Sequence, residues 1–369
     1  MKISNVNLFL DGRFVPGGID FGETIEAVGP KTTGGTDGGG CYLIPGLIDI
    51  HTHGAMGEDA SDGSPKGLLT MSRYYAAGGV TSWCPTTMTL KEPELTKAMD
   101  AIRSFARPAD GAKIAGVHLE GPFVSRKKCG AQNPENLHVP DIDMFRRLNE
   151  ASGGLVRLIT LAPEEPGALP FIREASKVCT VSLGHTTADY DTAMAAYEAG
   201  ASHATHLFNA MPALNHREPG VVPAALDAGA TVELITDGFH IHPAVIRLVH
   251  RLFREKLVLI SDSLRCAGMP DGDYELGGQP ITMTGGKATL TGTNTLAGSS
   301  VHLMEGLRRA VRFGVPLEAA VTAATLAPAK AIGLDDRIGS LSPGKAADFV
   351  LLDEELTLRA VYVDGVRIR

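Results

Sequence analysis

Apolar runs of strand length recur through the middle of the chain, at residues 43–51, 80–85, 114–120, 156–162, 179–185, 204–209, 231–237 and 257–262. They are mostly aliphatic or β-branched, the pattern of strands buried on both faces. Between them lie stretches with helical spacing. In 188–199, Tyr190, Ala193, Met194 and Tyr197 fall on one face, and Gly200 supplies a stop. Pro243 stands at the first turn of a second predicted helix, 243–254, where a missing N–H costs nothing.

Strands alternating with helices in this way predict an α/β fold, a parallel (β/α)8 TIM-like barrel. An open doubly wound sheet is the competitor, but the Gly-rich phosphate loop expected after its first strand is missing. The two ends differ from the middle. Residues 1–42 and 341–369 carry short alternating strands and a turn at Asp364-Gly365, and predict one small β-sandwich domain built from both termini. The barrel is then 43–340, with a β insertion near 272–296 marked by Gly pairs.

Composition narrows the function classes. Of 369 residues, 44% are hydrophobic and 21% charged, so a large core is available and disorder is excluded. A formal charge of -8 argues against nucleic-acid or anionic-membrane partners, which need a basic face. No apolar stretch reaches membrane-spanning length. The five cysteines are odd in number and none are in CxxC spacing, which disfavours a disulfide framework and fits a reducing cytoplasm. Cys84 and Cys179 fall within predicted strands and read as small buried apolar residues.

Nearly every predicted strand ends in a residue that binds metal or moves a proton. The first gives His51-Thr52-His53, the third His118-Leu119-Glu120, the fifth His185, the sixth His203 and His206, the seventh Asp237 and His240, the eighth Asp262. Residues two apart on a strand share a face, so His51 and His53 both aim into the barrel mouth. Parallel strands bring Glu120, His185, His206 and Asp262 to the same rim. Imidazole and carboxylate together suit zinc or divalent iron. For His118 and His203 the structural reading is preferred. One lies a step deeper than Glu120 and the other is out of parity with His206.

These motifs resemble a known superfamily. Residues 44–54, ending His51-Thr52-His53-Gly54, are similar to the opening strand of amidohydrolases, and Ser342-Pro343-Gly344-Lys345 resembles their return into a small β domain. More narrowly, His118-Leu119-Glu120-Gly121-Pro122, Gly184-His185-Thr186, His206-Leu207-Phe208-Asn209-Ala210, Arg217-Glu218-Pro219-Gly220, Asp237-Gly238-Phe239-His240 and Leu296-Ala297-Gly298-Ser299 resemble the N-acetylglucosamine-6-phosphate deacetylases.

The resemblance implies a hydrolase that releases acetate from a small phosphorylated amino sugar. It implies that Glu120, His185 and His206 hold the main metal, that His51 and His53 help hold a second, and that Asp262 is the catalytic acid/base and lies among the metal-binding residues. One or two divalent ions follow, zinc, iron, manganese or cobalt. Gln132 and His240 are implied at the acetyl and sugar groups. Asn209, Ala210 and Arg217 are implied at the phosphate, Arg217 reaching across a homodimer. The alternatives are the galactosamine epimer's deacetylase, another amidohydrolase, and a metal-free binding protein. Cyclic-amide hydrolases commonly carry a carboxylated lysine on the fourth strand, and 156–163 holds no lysine.

Overall fold

A computed structural model describes all residues, 1–369. Eight parallel strands form the barrel: Leu47–Thr52, Val80–Thr87, Val117–Glu120, Val156–Leu161, Thr180–Leu183, His203–Ala204, Thr231–Ile235 and Leu257–Ile260. Each is hydrogen-bonded to its sequence neighbour. The first and eighth close the ring beyond their ladder ends, through Asp262 N to His51 O at 2.9 Å and His53 N to Ser263 O at 2.9 Å. The strand interiors are almost wholly buried.

The intervening helices turn apolar faces inward. Pro65–Ala77 is capped by the Ser64 side chain, begins with proline, and buries Leu68, Met71, Tyr75 and Ala76. Each large side chain buried in this way stabilises the fold by about 1.5–3 kcal/mol. The two predicted helices form at Tyr190–Glu198 and Pro243–Phe253.

Several strands are shorter than the apolar runs that announced them. Run 43–51 is two elements: Tyr42–Pro45 joins the terminal sheet, and the barrel strand starts at Leu47. Gly46 separates them, packed so tightly on Thr81 that a Cβ there would lie 2.2 Å from its Oγ1. Run 114–120 is broken into Lys113–Ile114 and Val117–Glu120. Run 204–209 is a strand only at His203–Ala204, because His206, Phe208 and Ala210 adopt positive φ, which an extended ladder does not allow. Cys84 is buried, but Cys179 is half-buried and precedes the fifth strand.

Both termini contribute to one eight-stranded sheet, in which Phe349–Leu352 pairs with Leu358–Val363 on one side and Tyr42–Pro45 on the other. It closes over its own core, including Ile3, Leu8, Ile19, Phe21, Leu43 and Phe349. The predicted insertion is a three-stranded antiparallel sheet, Gly272–Leu276, Gln279–Thr284 and Lys287–Leu290. It packs Leu276 and Ile281 onto Met88 and Leu264, and so roofs one side of the barrel mouth. No helix is long and apolar enough to cross a membrane.

Candidate active site

The strand ends converge as their sequence pattern requires. Glu120 Oε1 lies 3.2 Å from His185 Nε2 and 3.0 Å from His206 Nε2. It also lies 3.3 Å from His51 Nε2, while Glu120 Oε2 is 3.3 Å from His53 Nε2. Asp262 Oδ1 completes the ring, 3.3 Å from His53 Nε2 and 3.5 Å from His51 Nε2. All six side chains are buried at the floor of a cavity of about 350 Å³, a size usual for small-molecule sites.

Chain geometry here is forced. His185, His206 and Asp262 have φ of 48°, 26° and 49°, a left-handed conformation that disfavours side chains with a Cβ. Each strand stops and turns its functional residue across the mouth, at a cost of order 1–3 kcal/mol per residue, which the surrounding structure must overcome. Gly298 permits the return from the insertion to lie against Asp262, where a Cβ would meet the Asp262 carbonyl oxygen at 2.7 Å.

Every ring directs Nε2 inward because its other nitrogen is engaged outward or lies away from the centre. His53 Nδ1 lies 3.2 Å from Thr86 O, and His185 Nδ1 is 3.0 Å from Lys128 O. Both carbonyls accept, so both Nδ1 atoms carry hydrogen, and Nε2 is the atom of each ring left to bind a cation. His51 Nδ1 is 2.8 Å from Glu233 Oε2, and its Nε2 has no hydrogen-bond partner although fully buried. His185 Nε2 and His206 Nε2 face each other at 3.0 Å. Buried lone pairs pointing at one spot fit a cation there. Three overlapping groups have metal-ligand spacing: His51/His53/Glu120 and Glu120/His185/His206, which converge with Asp262, and His51/His118/Glu233 on the outer side of His51.

The electrostatics agree. Burial alone would raise the Glu120 carboxyl, yet His51 and His185 hold it well below the usual range. Burial likewise opposes ionisation of Asp262, and His51 and His53 keep it low. The same carboxylates outweigh burial at His53 and lift it to about 10. A divalent ion would displace those protons, since ligands bind metal deprotonated.

A match to the profile described as "Amidohydrolase family" spans residues 42–368. The chain belongs to the amidohydrolase family. An N-acetylglucosamine-6-phosphate deacetylase from Bos taurus is 40% identical over 343 residues, 89% of this chain and 84% of that protein. An N-acetylgalactosamine-6-phosphate deacetylase from Escherichia coli O157:H7 is 38% identical over 345 residues, 92% and 91% of the two chains. A solved structure of a Mycobacterium smegmatis N-acetyl-D-glucosamine-6-phosphate deacetylase, an Asp-to-Ala variant in complex with N-acetyl-D-glucosamine-6-phosphate, superposes with a TM-score of 0.93 at 33% identity. That superposition covers 100% of this chain and 99% of the other. The resemblance drawn from the motifs therefore holds, as does the barrel. This amidohydrolase is a hydrolytic, amide-cleaving enzyme with a divalent-metal site.

The remaining expected residues are placed unevenly. Gln132, Asn209, Ala210 and His240 line the amidohydrolase's cavity with the six at its floor, except that His51 lies below the accessible surface. Gln132 is turned toward the floor: its Nε2 donates to Glu120 Oε2 at 2.6 Å, and its Oε1 accepts from Thr89 N at 2.7 Å. His240 is held by Asp237, Nδ1 to Oδ2 at 2.7 Å. Arg217 lies outside the cavity, exposed, with its guanidinium 2.8 Å from His216 rather than paired with Glu218.

Sequence reading passed over Glu233, which sits fully buried beneath His51. The signal was available: it is the one carboxylate in the apolar strand Thr231–Ile235, and a buried charge needs partners. The carbonyls of Thr86 and Lys128 left no signal, because any residue supplies a carbonyl. Lys127, Lys128 and Leu276 also line the cavity and carried no motif of their own.

Proposed function

We propose that this amidohydrolase hydrolyses N-acetyl-D-glucosamine 6-phosphate to D-glucosamine 6-phosphate and acetate. One observation carries the reading: Glu120, His185 and His206 present ligand atoms within 3.2 Å beside the Asp262 carboxylate, at the floor of a sugar-sized cavity. The relatives whose names specify this substrate, or its galactosamine epimer, match along most of the chain.

In this proposal one or two divalent ions (zinc, iron, manganese or cobalt) bind at His51, His53, Glu120, His185, His206 and Asp262. A bound ion of this kind lowers the pKa of water to roughly 7 and polarises an amide carbonyl. Asp262 does the proton work. Its ionised Oδ1 accepts the proton of the attacking water and delivers it to the sugar nitrogen as the C–N bond breaks. Gln132 holds Glu120 in place through the hydrogen bond at 2.6 Å, which makes it a positioning residue before it is a substrate contact. His240, kept cationic to higher pH by Asp237, faces the cavity where it can stabilise a developing oxyanion or a sugar oxygen.

Asn209 and Ala210 are proposed at the phosphate. Arg217 joins them across a homodimer, since its own loop points it to solvent. A cytoplasmic setting, consistent with five free cysteines, belongs to the same proposal. So does the division into a terminal β domain, 1–42 with 341–369, and a catalytic barrel, 43–340, with strand Tyr42–Pro45 at the seam.

The deciding experiment is acetate release from N-acetylglucosamine and N-acetylgalactosamine, each with and without the 6-phosphate. Highest kcat/KM on the phosphorylated gluco sugar supports the reading. A preference for the galacto epimer moves the substrate to the second relative's, and no release from any of the four removes the proposal.

A further inference from the structure

The floor of the site rests on a carboxylate that the reaction leaves unused. Glu233 is 0% exposed, in the middle of the seventh barrel strand. Its Oε2 accepts from His51 Nδ1 at 2.8 Å and from the backbone N of His206 at 3.1 Å. Its Oε1 faces His203 Nε2 at 3.2 Å, close enough for attraction but outside hydrogen-bonding alignment. His203 is itself anchored on the far side by Thr231 Oγ1, 2.5 Å from Nδ1.

Burying a carboxylate this deeply costs several kcal/mol unless its charge is matched. An apolar residue would serve at this position, whose strand neighbours are Val232 and Leu234. Its two contacts through Oε2 explain its presence. One fixes which nitrogen of His51 bears hydrogen, so that Nε2 is left free and directed at Glu120 and Asp262. The other pins the backbone of His206 where φ is 26°. We propose that Glu233 is the positioning residue that makes His51 a metal ligand and thereby governs ion binding by the His51/His53/Glu120 group. His118 completes the clamp. Its ring lies edge-on to His51 at 4.5 Å between centroids, with Nε2 held by Thr160 Oγ1 at 2.8 Å.

Glu233 is a support and not a ligand. Its Oε2 is committed to two donors, and it lies on the Nδ1 side of His51, away from the Nε2 atoms that converge on Glu120. The inference concerns the ligand set and is independent of the sugar. Its test therefore reads metal and not turnover.

The experiment is a cycle of four full-length proteins: parent, Glu233→Leu, His51→Ala and the double variant. Each is equilibrated with zinc, analysed for ions per subunit, and titrated against a chelator for affinity. Glu233→Leu is expected to weaken zinc binding about 10–100-fold, the usual effect of removing a carboxylate behind a ligating histidine. In the His51→Ala background the same change should cost little more, because the ring it steers is gone. Equal losses in both backgrounds would assign Glu233 a general structural role and overturn the proposal, as would parent-like affinity in Glu233→Leu. The near-isosteric Glu233→Gln guards against misfolding. Its amide keeps the volume but removes the charge, and it should show an intermediate loss at unchanged secondary structure. Parent-like binding in that folded variant would also overturn the role. Failure to cleave any N-acetyl sugar would leave these binding results intact and count only against the proposed reaction.

Discussion

The floor and the mouth of the cavity are built on opposite plans. The floor is made of strand ends, fully buried, with each ring anchored on its outer nitrogen or packed against neighbours and three residues held in unfavourable backbone conformations. The side proposed for the phosphate is made of loops. Arg217 and its neighbours Leu214, Asn215 and His216 are exposed, and the guanidinium has no contact with the cavity. Bond-breaking atoms need fixed geometry, which a barrel rim provides within one chain. A charged handle on the substrate can be met by a mobile cation, and a loop on the surface is free to meet it from another subunit.

The largest effect should come from emptying the floor. Dialysis against a chelator is expected to bring acetate release to background, with recovery on adding back a divalent ion. Persistent activity in metal-free protein would break the assignment of the floor. Asp262→Asn comes next. Turnover should fall about 10²–10⁴-fold, the range for general acid–base groups, while metal content by elemental analysis stays near the parent's. Near-normal turnover would take Asp262 out of the proton path.

Arg217→Ala tests the mouth. Loss of a charge-assisted hydrogen bond of about 1.5–3 kcal/mol should raise KM for the phosphorylated sugar about 10–100-fold. KM for the unphosphorylated sugar should barely move. Equal effects on both sugars would deny the loop its phosphate role and leave the floor untouched.

The smallest effect is at His240, where floor and mouth meet. Burial lowers its basicity, but Asp237 outweighs burial and lifts it above the ordinary 6.5. Asp237 is held below its ordinary 3.8, since His240 outweighs the opposing effect of burial. The pair therefore stabilises the fold fully between those two ordinary values. That contribution fades as pH rises through the elevated His240 value, and again as pH falls through the depressed Asp237 value. In Asp237→Asn only burial and the attraction of Asp262 remain, so the NMR titration midpoint of His240 should fall from its elevated value. An unchanged midpoint would mean that the carboxylate does not set its charge.

Much of the floor was legible before any coordinates. The spacing of His51 and His53, and the fall of Glu120, His185, His206 and Asp262 at the ends of separate apolar runs, required only strand parity and a parallel barrel to bring them together. Gln132 was read as a substrate contact; it lines the cavity, and its amide is also bonded to Glu120. Nothing in a loop sequence states which way a side chain turns. Strand lengths were overstated at 204–209 for a related reason: apolar composition does not reveal that His206 and Phe208 leave the extended conformation.

By itself, the sequence determined which groups could meet: periodicity fixes the face of a strand, and strand order fixes the rim to which it delivers its last residue. Tertiary structure alone decided the support beneath them. Which carbonyl caps His185, which carboxylate lies behind His51, and that Arg217 stands outside the cavity are decided by how distant segments pack. Hydrogen-bond direction and burial are properties of the packed chain, and no local pattern encodes them.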